Sequence, residues 1–338
     1  MIEIVFTLDY EIYGNGTGSL RDLVYEPTEK LKAVFLEHGA RFVVFVEAAE
    51  LEMIGSSGSD DAAGDVTRQI RELHREGFEI GLHLHPQWYG ARRVDGAWRL
   101  DYGEYNLCAL PRERMAAIID RSIAFLRRVL DLPDFLPLSF RAGNWLLQPT
   151  TPVAEILAER GLRIDSSVFK GGIRRQHGLD YRPALRNGYY WPFKEDVTAA
   201  DPGGRLIEFP IFTKMVPPWR ILSLDRIGLE ARGSAGSPGV SRLYRVLDTL
   251  RLAHPMKLDF CRLSAEEFSG MVQGELARDR KDPGIFRPLV AIGHSKEFPG
   301  VEPVDRSLSQ LRDAGILVRT FRDWDQRLSP SKGPAKRP

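Results

Sequence analysis

Two histidines lie two residues apart at the end of an apolar run, in the sequence EIGLHLHP of residues 79–86. Because side chains i and i+2 of a strand point to the same face, His83 and His85 would present two imidazoles side by side. Paired imidazoles are typical of a metal site, although one core and one surface histidine would give the same spacing. A metal site would need acidic partners from elsewhere in the chain.

Acidic residues occupy a similar position near the start of the chain. The run IEIVFTL is followed by Asp9 and Glu11, which also share one face of a strand. The segment SFRAGNW places Arg141 after a later apolar run, LRIDSS contains Asp165, and LVAIGHS contains His294. Each residue alone is compatible with an ordinary structural role. The functional interpretation depends on their occurring together.

These residue types together could hydrolyse an amide. One carboxylate with two imidazoles is a common ligand set for a catalytic zinc or a similar divalent ion, with a further position open for water. The metal lowers the pKa of that water towards about 7 and polarises a carbonyl. A second carboxylate can accept the water proton, a separate histidine can protonate the leaving nitrogen, and an arginine can keep the base ionised.

The apolar runs that carry these residues are short and rich in Val, Ile and Phe, which predicts β-strands. The predicted strands cover residues 2–8, 41–48, 78–84, 135–142, 205–212, 287–295 and 316–321. Helical patterns lie between them, at residues 27–39, 65–77, 111–130, 151–161, 264–279 and 304–315. This alternation predicts an α/β protein with a mostly parallel sheet or barrel. Ligands of such folds bind at the carboxyl ends of the strands, which is where the candidate residues lie.

Some segments interrupt the alternation. Residues 55–65 and 232–241 are small and polar, which predicts loops, and residues 171–260 predict long insertions on one face of the barrel. We therefore expect a single domain over residues 1–325. The basic, proline-containing tail at residues 326–338 predicts disorder.

The composition excludes several classes of protein. The 338-residue chain is 43% hydrophobic and 28% charged with a net charge of +1, so we expect a globular protein with no nucleic-acid partner. Cys108 and Cys261 lie too far apart for a cysteine zinc site or a disulfide framework. No apolar run approaches the roughly 20 residues of a membrane span. Because no secretory signal precedes the first strand, we expect a cytoplasmic protein, either free or peripheral to the inner face of the membrane.

The motifs resemble those of the polysaccharide deacetylases with a NodB-like domain, carbohydrate esterase family 4. TLDYE is similar to the first family motif, HLHP to the second, FRAGNW to the third, DSSVFKG to the fourth and IGHSKEF to the fifth. The resemblance extends over about residues 1–170 and 200–320. It implies a distorted (β/α) barrel with insertions, and a metal-dependent hydrolase that removes an N-acetyl group from an amino sugar.

The resemblance also implies a role for each candidate residue. Asp9 would be the general base, oriented by Arg141 with help from Asp165, and the general acid would be His294. The implied ligands of one divalent metal ion, expected to be zinc, are Glu11, His83 and His85. The residues expected to contact the sugar are Trp88, Asn144 and Trp145, because aromatic rings stack on pyranose faces.

Two motifs depart from the family pattern. The usual first motif has adjacent aspartates, whereas here Tyr10 separates Asp9 from Glu11, which leaves open which carboxylate binds the metal. The usual second motif spaces its histidines by four on a helical face, whereas the spacing of His83 and His85 suits a strand. Whether both imidazoles bind the metal is therefore also open.

The expected function is N-deacetylation of an amino sugar in the biosynthesis of a surface polysaccharide or lipopolysaccharide. The substrate would be nucleotide-linked, lipid-linked or oligomeric. The open alternatives are an N-deformylase, a ring-amide hydrolase on the same fold, and a non-catalytic glycan-binding protein that retains the metal. Cupins and amidohydrolase barrels also contain an H-x-H pair. A cupin, however, needs a glutamate shortly after the pair, and the amidohydrolase pair ends the first strand rather than the third.

Overall fold

A computed structural model describes residues 1–220 and 251–328, in which strands and helices alternate. The helices are α1 (Glu26–Glu37), α2 (Ala48–Ser57), α3 (Ala63–Arg75), α4 (Arg112–Leu130), α5 (Val153–Glu159), α6 (Ala265–Lys281), α7 (Val301–Asp313) and α8 (Phe321–Leu328). The strands are β1 (Ile2–Tyr10), β2 (Val43–Glu47), β3 (Glu79–Leu84), β4 (Arg92–Val94), β5 (Ala97–Arg99), β6 (Ser139–Ala142), β7 (Ile164–Asp165), β8 (Ile173–Arg174), β9 (Leu179–Asp180), β10 (Trp191–Phe193), β11 (Leu206–Glu208), β12 (Thr213–Val216), β13 (His254–Lys257), β14 (Arg287–His294) and β15 (Leu317–Arg319).

Nine strands form one curled sheet. Their order is β10-β11-β7-β6-β3-β2-β1-β14, and β15 pairs with the first half of β1. Only β10 and β11 are antiparallel; the other neighbours in this sheet run parallel. Ile211, just beyond β11, forms a parallel bridge with Val290 of β14, so the two ends of the sheet approach each other. This is the distorted α/β barrel that the sequence predicted.

The inside of the barrel is apolar at one end and polar at the other. Val5, Phe45 and Val290 belong to a buried cluster that α8 closes with Phe321 and Trp324. Because side chains alternate along a strand, the inward positions of β1 continue beyond Val5 to residues 7, 9 and 11. The carboxyl end of the same face therefore carries carboxylates in place of apolar side chains.

The outer face of the sheet packs against helices. Phe6 of β1 contacts the ring of Phe35 on α1 with a centroid distance of 5.1 Å, and Phe35 in turn contacts Phe42 at 5.0 Å. Strands covered on both faces are largely apolar in sequence, and in the run IEIVFTL the polar residues are Glu3 and Thr7, both buried. The helix–sheet layer fixes the strand register, and with it the positions of the residues at the strand ends.

Three predicted boundaries are wrong in part. Helix α2 extends through Ser57 and α3 begins at Ala63, so most of the predicted loop at residues 55–65 is not loop. Helix α8 reaches Leu328, so the predicted disordered tail begins too early; residues 329–338 and the predicted loop at 232–241 lie outside the described residues. Strand β10 falls within the predicted insertions, yet it belongs to the main sheet; β11 lies in the same range and matches the strand predicted at residues 205–212.

In the described ranges, 1–220 and 251–328, no helix has both the length and the apolar character needed to span a bilayer.

Candidate metal and catalytic site

The predicted site residues converge at the carboxyl end of the barrel. The register pairs Asp9 of β1 with His294 of β14, and His83 of β3 with Arg141 of β6. Glu11 lies one inward position beyond Asp9. All five residues are buried. Their convergence follows from parallel pairing, because the carboxyl ends of parallel strands lie at one edge of the sheet.

Glu11, His83 and His85 form a cluster with the geometry of a metal-ligand set. Oε2 of Glu11 lies 3.4 Å from Nε2 of His83 and 3.0 Å from Nε2 of His85. The three ligand atoms all lie within 4.8 Å of one another. One carboxylate oxygen and two imidazole nitrogens facing a common point suit zinc or another divalent ion of intermediate softness.

His83 is held in the tautomer that a metal ligand requires. Its Nδ1 lies 2.9 Å from the carbonyl oxygen of Arg141. Because a carbonyl oxygen only accepts hydrogen bonds, Nδ1 of the neutral ring carries the proton and Nε2 keeps its lone pair. A hydrogen bond of this kind behind a coordinating imidazole is the usual outer-shell support of a metal site.

His85 can be held in the same way by Gln87. Nδ1 of His85 lies 3.2 Å from Nε2 of Gln87, and Oε1 of Gln87 is buried without a partner in residues 1–220 and 251–328. A 180° rotation of the amide would give this oxygen a donor and leave Nε2 of His85 free. The backbone N–H of His85 donates to Glu47 at 2.5 Å, which fixes the start of the turn after β3. The residues present therefore fit a bound divalent ion.

Lys296 supports the second oxygen of Glu11. Its Nζ donates to Oε1 of Glu11 at 2.7 Å and to the carbonyl oxygen of Ile12 at 3.1 Å. Burial alone would raise the pKa of Glu11, but Lys296, His85 and His83 together hold it well below its usual value. Glu11 is therefore an ionised carboxylate with Oε2 directed at the two imidazoles. The sequence analysis missed Lys296, although it stands two residues after His294.

Asp9 has a different environment from Glu11. Nη1 of Arg141 donates to Oδ1 of Asp9 at 2.6 Å, and Oδ2 of Asp9 lies 3.5 Å from Nε2 of His294. Burial raises the pKa of Asp9, but Arg141, His83 and His294 outweigh it, so the pKa is lowered. Asp9 is thus an ionised carboxylate between an arginine and a histidine.

Arg141 is fixed in place by contacts on its remaining nitrogens. Nε donates to the carbonyl oxygen of Ser166 at 2.8 Å, and Nη2 donates to Oγ of Ser166 at 3.1 Å. The guanidinium also lies over the ring of Phe45, with Cζ 4.3 Å from the centroid. The neighbouring Asp165, which we expected to help orient the base, directs Oδ2 towards Oγ of Ser167 at 2.8 Å. Ser166 takes the contact with Arg141.

Two carboxylates that the sequence analysis missed lie behind His294. Oε2 of Glu297 is 3.3 Å from Nδ1 of His294, and Asp259 belongs to the same cluster of closely spaced side chains. Arg262 donates to both oxygens of Glu297, at 2.7 and 2.5 Å. Although burial opposes ionisation, His294 and Arg262 lower the pKa of Glu297. Glu297 is therefore an ionised carboxylate beside the imidazole of His294.

The three predicted substrate contacts have different surroundings. Trp88 is fully buried and packs against Trp98 at a centroid distance of 5.3 Å, so its ring is not available to a sugar. Nδ2 of Asn144 lies 3.3 Å from Nδ1 of His85. Trp145 lies beside the candidate general acid, with its ring edge-to-face on His294 at a centroid distance of 6.1 Å.

Comparison with known proteins finds similarity in structure and none in sequence. No protein-family model matches the chain, and no curated protein matches it in sequence. Structural similarity covers 97% of this chain for a protein named as a polysaccharide deacetylase from Mycobacterium smegmatis, with 92% of that chain covered, 16% identity and a TM-score of 0.52. One from Pseudomonas aeruginosa PAO1 gives the same coverage of both chains, with 12% identity and a TM-score of 0.53. The chain has the fold of the NodB-like deacetylases.

The same fold also occurs in a protein with a different activity. A PuuE allantoinase matches 98% of this chain, with 92% of its own length covered, 11% identity and a TM-score of 0.54. The NodB-like fold therefore leaves the reaction to be argued from the side chains at the barrel mouth.

Proposed function

We propose that this protein is a metal-dependent hydrolase that removes the N-acetyl group of an amino sugar. One observation carries the proposal: a ligand set of one carboxylate and two imidazoles lies beside a second, ionised carboxylate that faces a histidine. Glu11, His83 and His85 would hold the metal. Asp9 and His294, whose Oδ2 and Nε2 lie 3.5 Å apart, would carry out the proton transfers. The structural similarity to proteins named as polysaccharide deacetylases supports the choice of an acetylated sugar.

The two kinds of chemistry would be divided between the metal and the protein. A bound divalent ion supplies an acidified water and polarisation of the acetyl carbonyl. Asp9 accepts the water proton at Oδ2, because Arg141 occupies Oδ1 and keeps the carboxylate ionised. His294 then donates its Nε2 proton to the departing nitrogen, so the C–N bond breaks to give acetate and a free amine. Glu297 stabilises the imidazolium from the Nδ1 side.

Hydrolysis of other amides is the second candidate. The similarity to an allantoinase favours a ring amide, and a formyl group would require less space than an acetyl group at the same position. The proton-transfer residues would keep their roles for both substrates. The biosynthetic setting in a surface polysaccharide or lipopolysaccharide stays a prediction from the sequence.

Release of acid from a panel of amides tests the proposal. We would load the purified protein with zinc and measure acetate and formate from N-acetyl and N-formyl amino sugars, and ring opening of allantoin. Acetate release from a sugar that falls about 10²–10⁴-fold in Asp9→Asn is the expected result. The matched control is Asp95→Asn, because Asp95 is an exposed aspartate in the turn between β4 and β5. Zinc-loaded protein without acetate release would overturn the deacetylase assignment. Release of formate would then indicate an N-deformylase, and opening of allantoin a ring-amide hydrolase.

A further inference from the structure

A lysine beside the candidate catalytic residues lacks an anionic partner. Nζ of Lys257 lies 3.4 Å from the ring centroid of Trp145 and 5.3 Å from that of Phe169. In residues 1–220 and 251–328, this ammonium group makes no hydrogen bond and no ion pair. Both carboxylate oxygens of the neighbouring Glu297 accept hydrogen bonds from Arg262. Lys257 is thus a half-buried cation that only aromatic faces contact.

Lys257 lies near the barrel mouth. It ends β13 and stands two residues before Asp259, whose backbone N–H donates to the carbonyl oxygen of Lys257 at 2.9 Å. Asp259 belongs to the group around His294. The ring of Trp145 neighbours both groups, with its centroid 3.4 Å from the ammonium of Lys257 and 6.1 Å from the imidazole centroid of His294. Lys257 and the candidate general acid therefore share Trp145 as a neighbour.

The position of Trp145 is itself unusual. Asn144 and Trp145 have positive φ angles of 55° and 60°, which side chains other than glycine seldom adopt. Consecutive strained residues of this kind concentrate at ligand sites, because the surrounding structure must hold them in place. A second cation approaches the same ring, with Cζ of Arg174 5.3 Å from its centroid. The strained turn therefore positions one indole ring in a region of positive charge.

We propose that Lys257 and Trp145 form a subsite for an anionic substituent of the sugar, a phosphate ester or a carboxylate. This inference rests on the proposed function, since it concerns the substrate of the same site. An ammonium group that lacks a carboxylate partner can donate charge-assisted hydrogen bonds to such a group. Because this subsite lies beside His294, the anionic substituent would belong to the sugar ring that carries the acetamido group, or to a group attached directly to that ring.

The electrostatic environment of Lys257 agrees with this assignment. Burial, reinforced by Arg262 and Arg174, lowers the pKa of Lys257 to about 7, although Asp259 and Glu297 oppose the shift. A bound anion would favour the charged form and reverse part of this shift. Without a bound anion, the protonated form of Lys257 is therefore unfavourable, and a bound anion would stabilise it.

The first test compares charged and neutral substrates. We would measure kcat and KM of the zinc-loaded protein for N-acetylglucosamine, its 1-phosphate, its 6-phosphate and the corresponding acetylated uronic acid. At least one charged sugar should be preferred over the neutral one, and its identity distinguishes phosphate from carboxylate. Lys257→Met should reduce this preference about tenfold or more, mainly through KM, because a charge-assisted hydrogen bond is lost.

Two further variants separate binding from folding. Lys257→Arg should restore much of the preference, because arginine keeps the charge and stacks on tryptophan. Lys214→Met is the matched control: Lys214 lies on β12, which pairs with β13 in the same two-stranded sheet, and its Nζ donates to the carbonyl oxygen of Met271. This control should leave the preference unchanged. An equal preference for charged and neutral sugars in the wild type, or a preference that survives Lys257→Met, would overturn the subsite.

A binding measurement decides the case even if no sugar is deacetylated. Titration calorimetry with glucosamine, glucosamine 1-phosphate, glucosamine 6-phosphate and glucosaminuronic acid requires no turnover. We expect at least one charged amine to bind about tenfold or more tightly than glucosamine, and this difference to disappear in Lys257→Met. Tight binding of a charged amine without deacetylation of any sugar would contradict the proposed reaction and support the anion subsite. Deacetylation with equal binding of charged and neutral amines would support the proposed reaction and contradict the subsite.

Discussion

Asp9 and Glu11 occupy consecutive inward positions of one strand, but their neighbours give them different roles. Arg141 and His294 face the oxygens of Asp9, whereas Lys296 and the two imidazoles face those of Glu11. The sequence alone left open which carboxylate would bind the metal. The contacts support the metal role for Glu11 and the base role for Asp9, because only Glu11 has an oxygen directed at both imidazoles.

Sequence spacing revealed residues that share a strand but not residues that meet through packing. The spacing of His83 and His85 was sufficient to predict their common face. The sequence did not predict that Asp259 lies near His294, because only the folded chain brings its segment beside β14. Trp88 shows the opposite error, since the turn after β3 buries a ring that was expected to contact the sugar.

The first prediction concerns the close contact between Gly143 and His85. A Cβ at Gly143 would lie 2.6 Å from the carbonyl oxygen of Leu84 and 2.8 Å from the imidazole of His85. Gly143→Ala should displace this ring and weaken zinc binding by about 10–100-fold. Competition with a chromophoric chelator measures the affinity. Gly270→Ala, where a Cβ meets open space on α6, is the control, and equal affinity in both variants would contradict the placement of His85 on the metal.

The second prediction concerns the pH dependence of substrate binding. Burial, with Arg262 and Arg174, lowers the pKa of Lys257 to about 7, while Asp259 and Glu297 oppose the shift. Because deprotonation removes the positive charge, KM for an anionic sugar should rise as the pH increases from about 6.5 to 8.5. KM for neutral N-acetylglucosamine, measured in parallel, should change less. Parallel changes in the two KM values would argue against a charged contact with Lys257.

At the scale of elements, alternation and strand composition predicted the main strands and most helices. Helix α2 was missed, because AAELEMIGSS ends in small residues that are also typical of loops. It starts directly after β2, where the side chain of Glu47 accepts a hydrogen bond from the backbone N–H of Glu50. Helix α8 was missed because its role is to close the barrel, which local sequence does not show.

The third prediction tests how α8 closes the barrel. Burial raises the pKa of Glu79 to about 7, although its carboxylate accepts hydrogen bonds from the backbone N–H of Arg322 and from Ser139. The folded state therefore retains a proton that the unfolded chain releases near pH 4.5, so this group reduces stability as the pH rises from about 4.5 to 7. Glu79→Gln should raise the free energy of unfolding by about 1–3 kcal/mol at pH 8 and by much less at pH 5.

Urea unfolding at the two pH values measures this difference. Glu76→Gln is a suitable control, because Glu76 is an exposed glutamate at the end of α3. An equal change in the free energy of unfolding at pH 5 and pH 8 would show that Glu79 is not protonated in the folded protein.

At the scale of the whole molecule, one end of the barrel is filled by apolar side chains and the other end carries the polar residues of the candidate site. The curled sheet brings β14 beside β1, so His294 near the end of the chain meets Asp9 near its start. This arrangement could be predicted because parallel strands place their carboxyl ends together. The contacts of the inserted segments at the mouth could not, since they follow no repeating pattern.

The fourth prediction is that metal binding stabilises the entire domain. The proposed ligands lie at the carboxyl ends of β1 and β3, so an ion would link strands that separate on unfolding. Zinc at 100 times its dissociation constant should add about 2.7 kcal/mol and raise Tm by a few degrees relative to chelator-treated protein. Thermal denaturation of the wild type and His85→Ala measures the effect. The same zinc-induced shift in both proteins would show that the ion binds elsewhere.

The metal content of three purified proteins tests the central claim most directly. After reconstitution with zinc and removal of excess ion, elemental analysis should find about one equivalent in the wild type and in Asp9→Asn, and a large loss in Glu11→Gln. Asp9→Asn should retain the ion while losing hydrolysis, because the proposal assigns Asp9 to proton transfer and Glu11 to the metal. Absence of bound metal in the wild type, or equal loss of metal in both variants, would contradict the proposed division of roles at the barrel mouth.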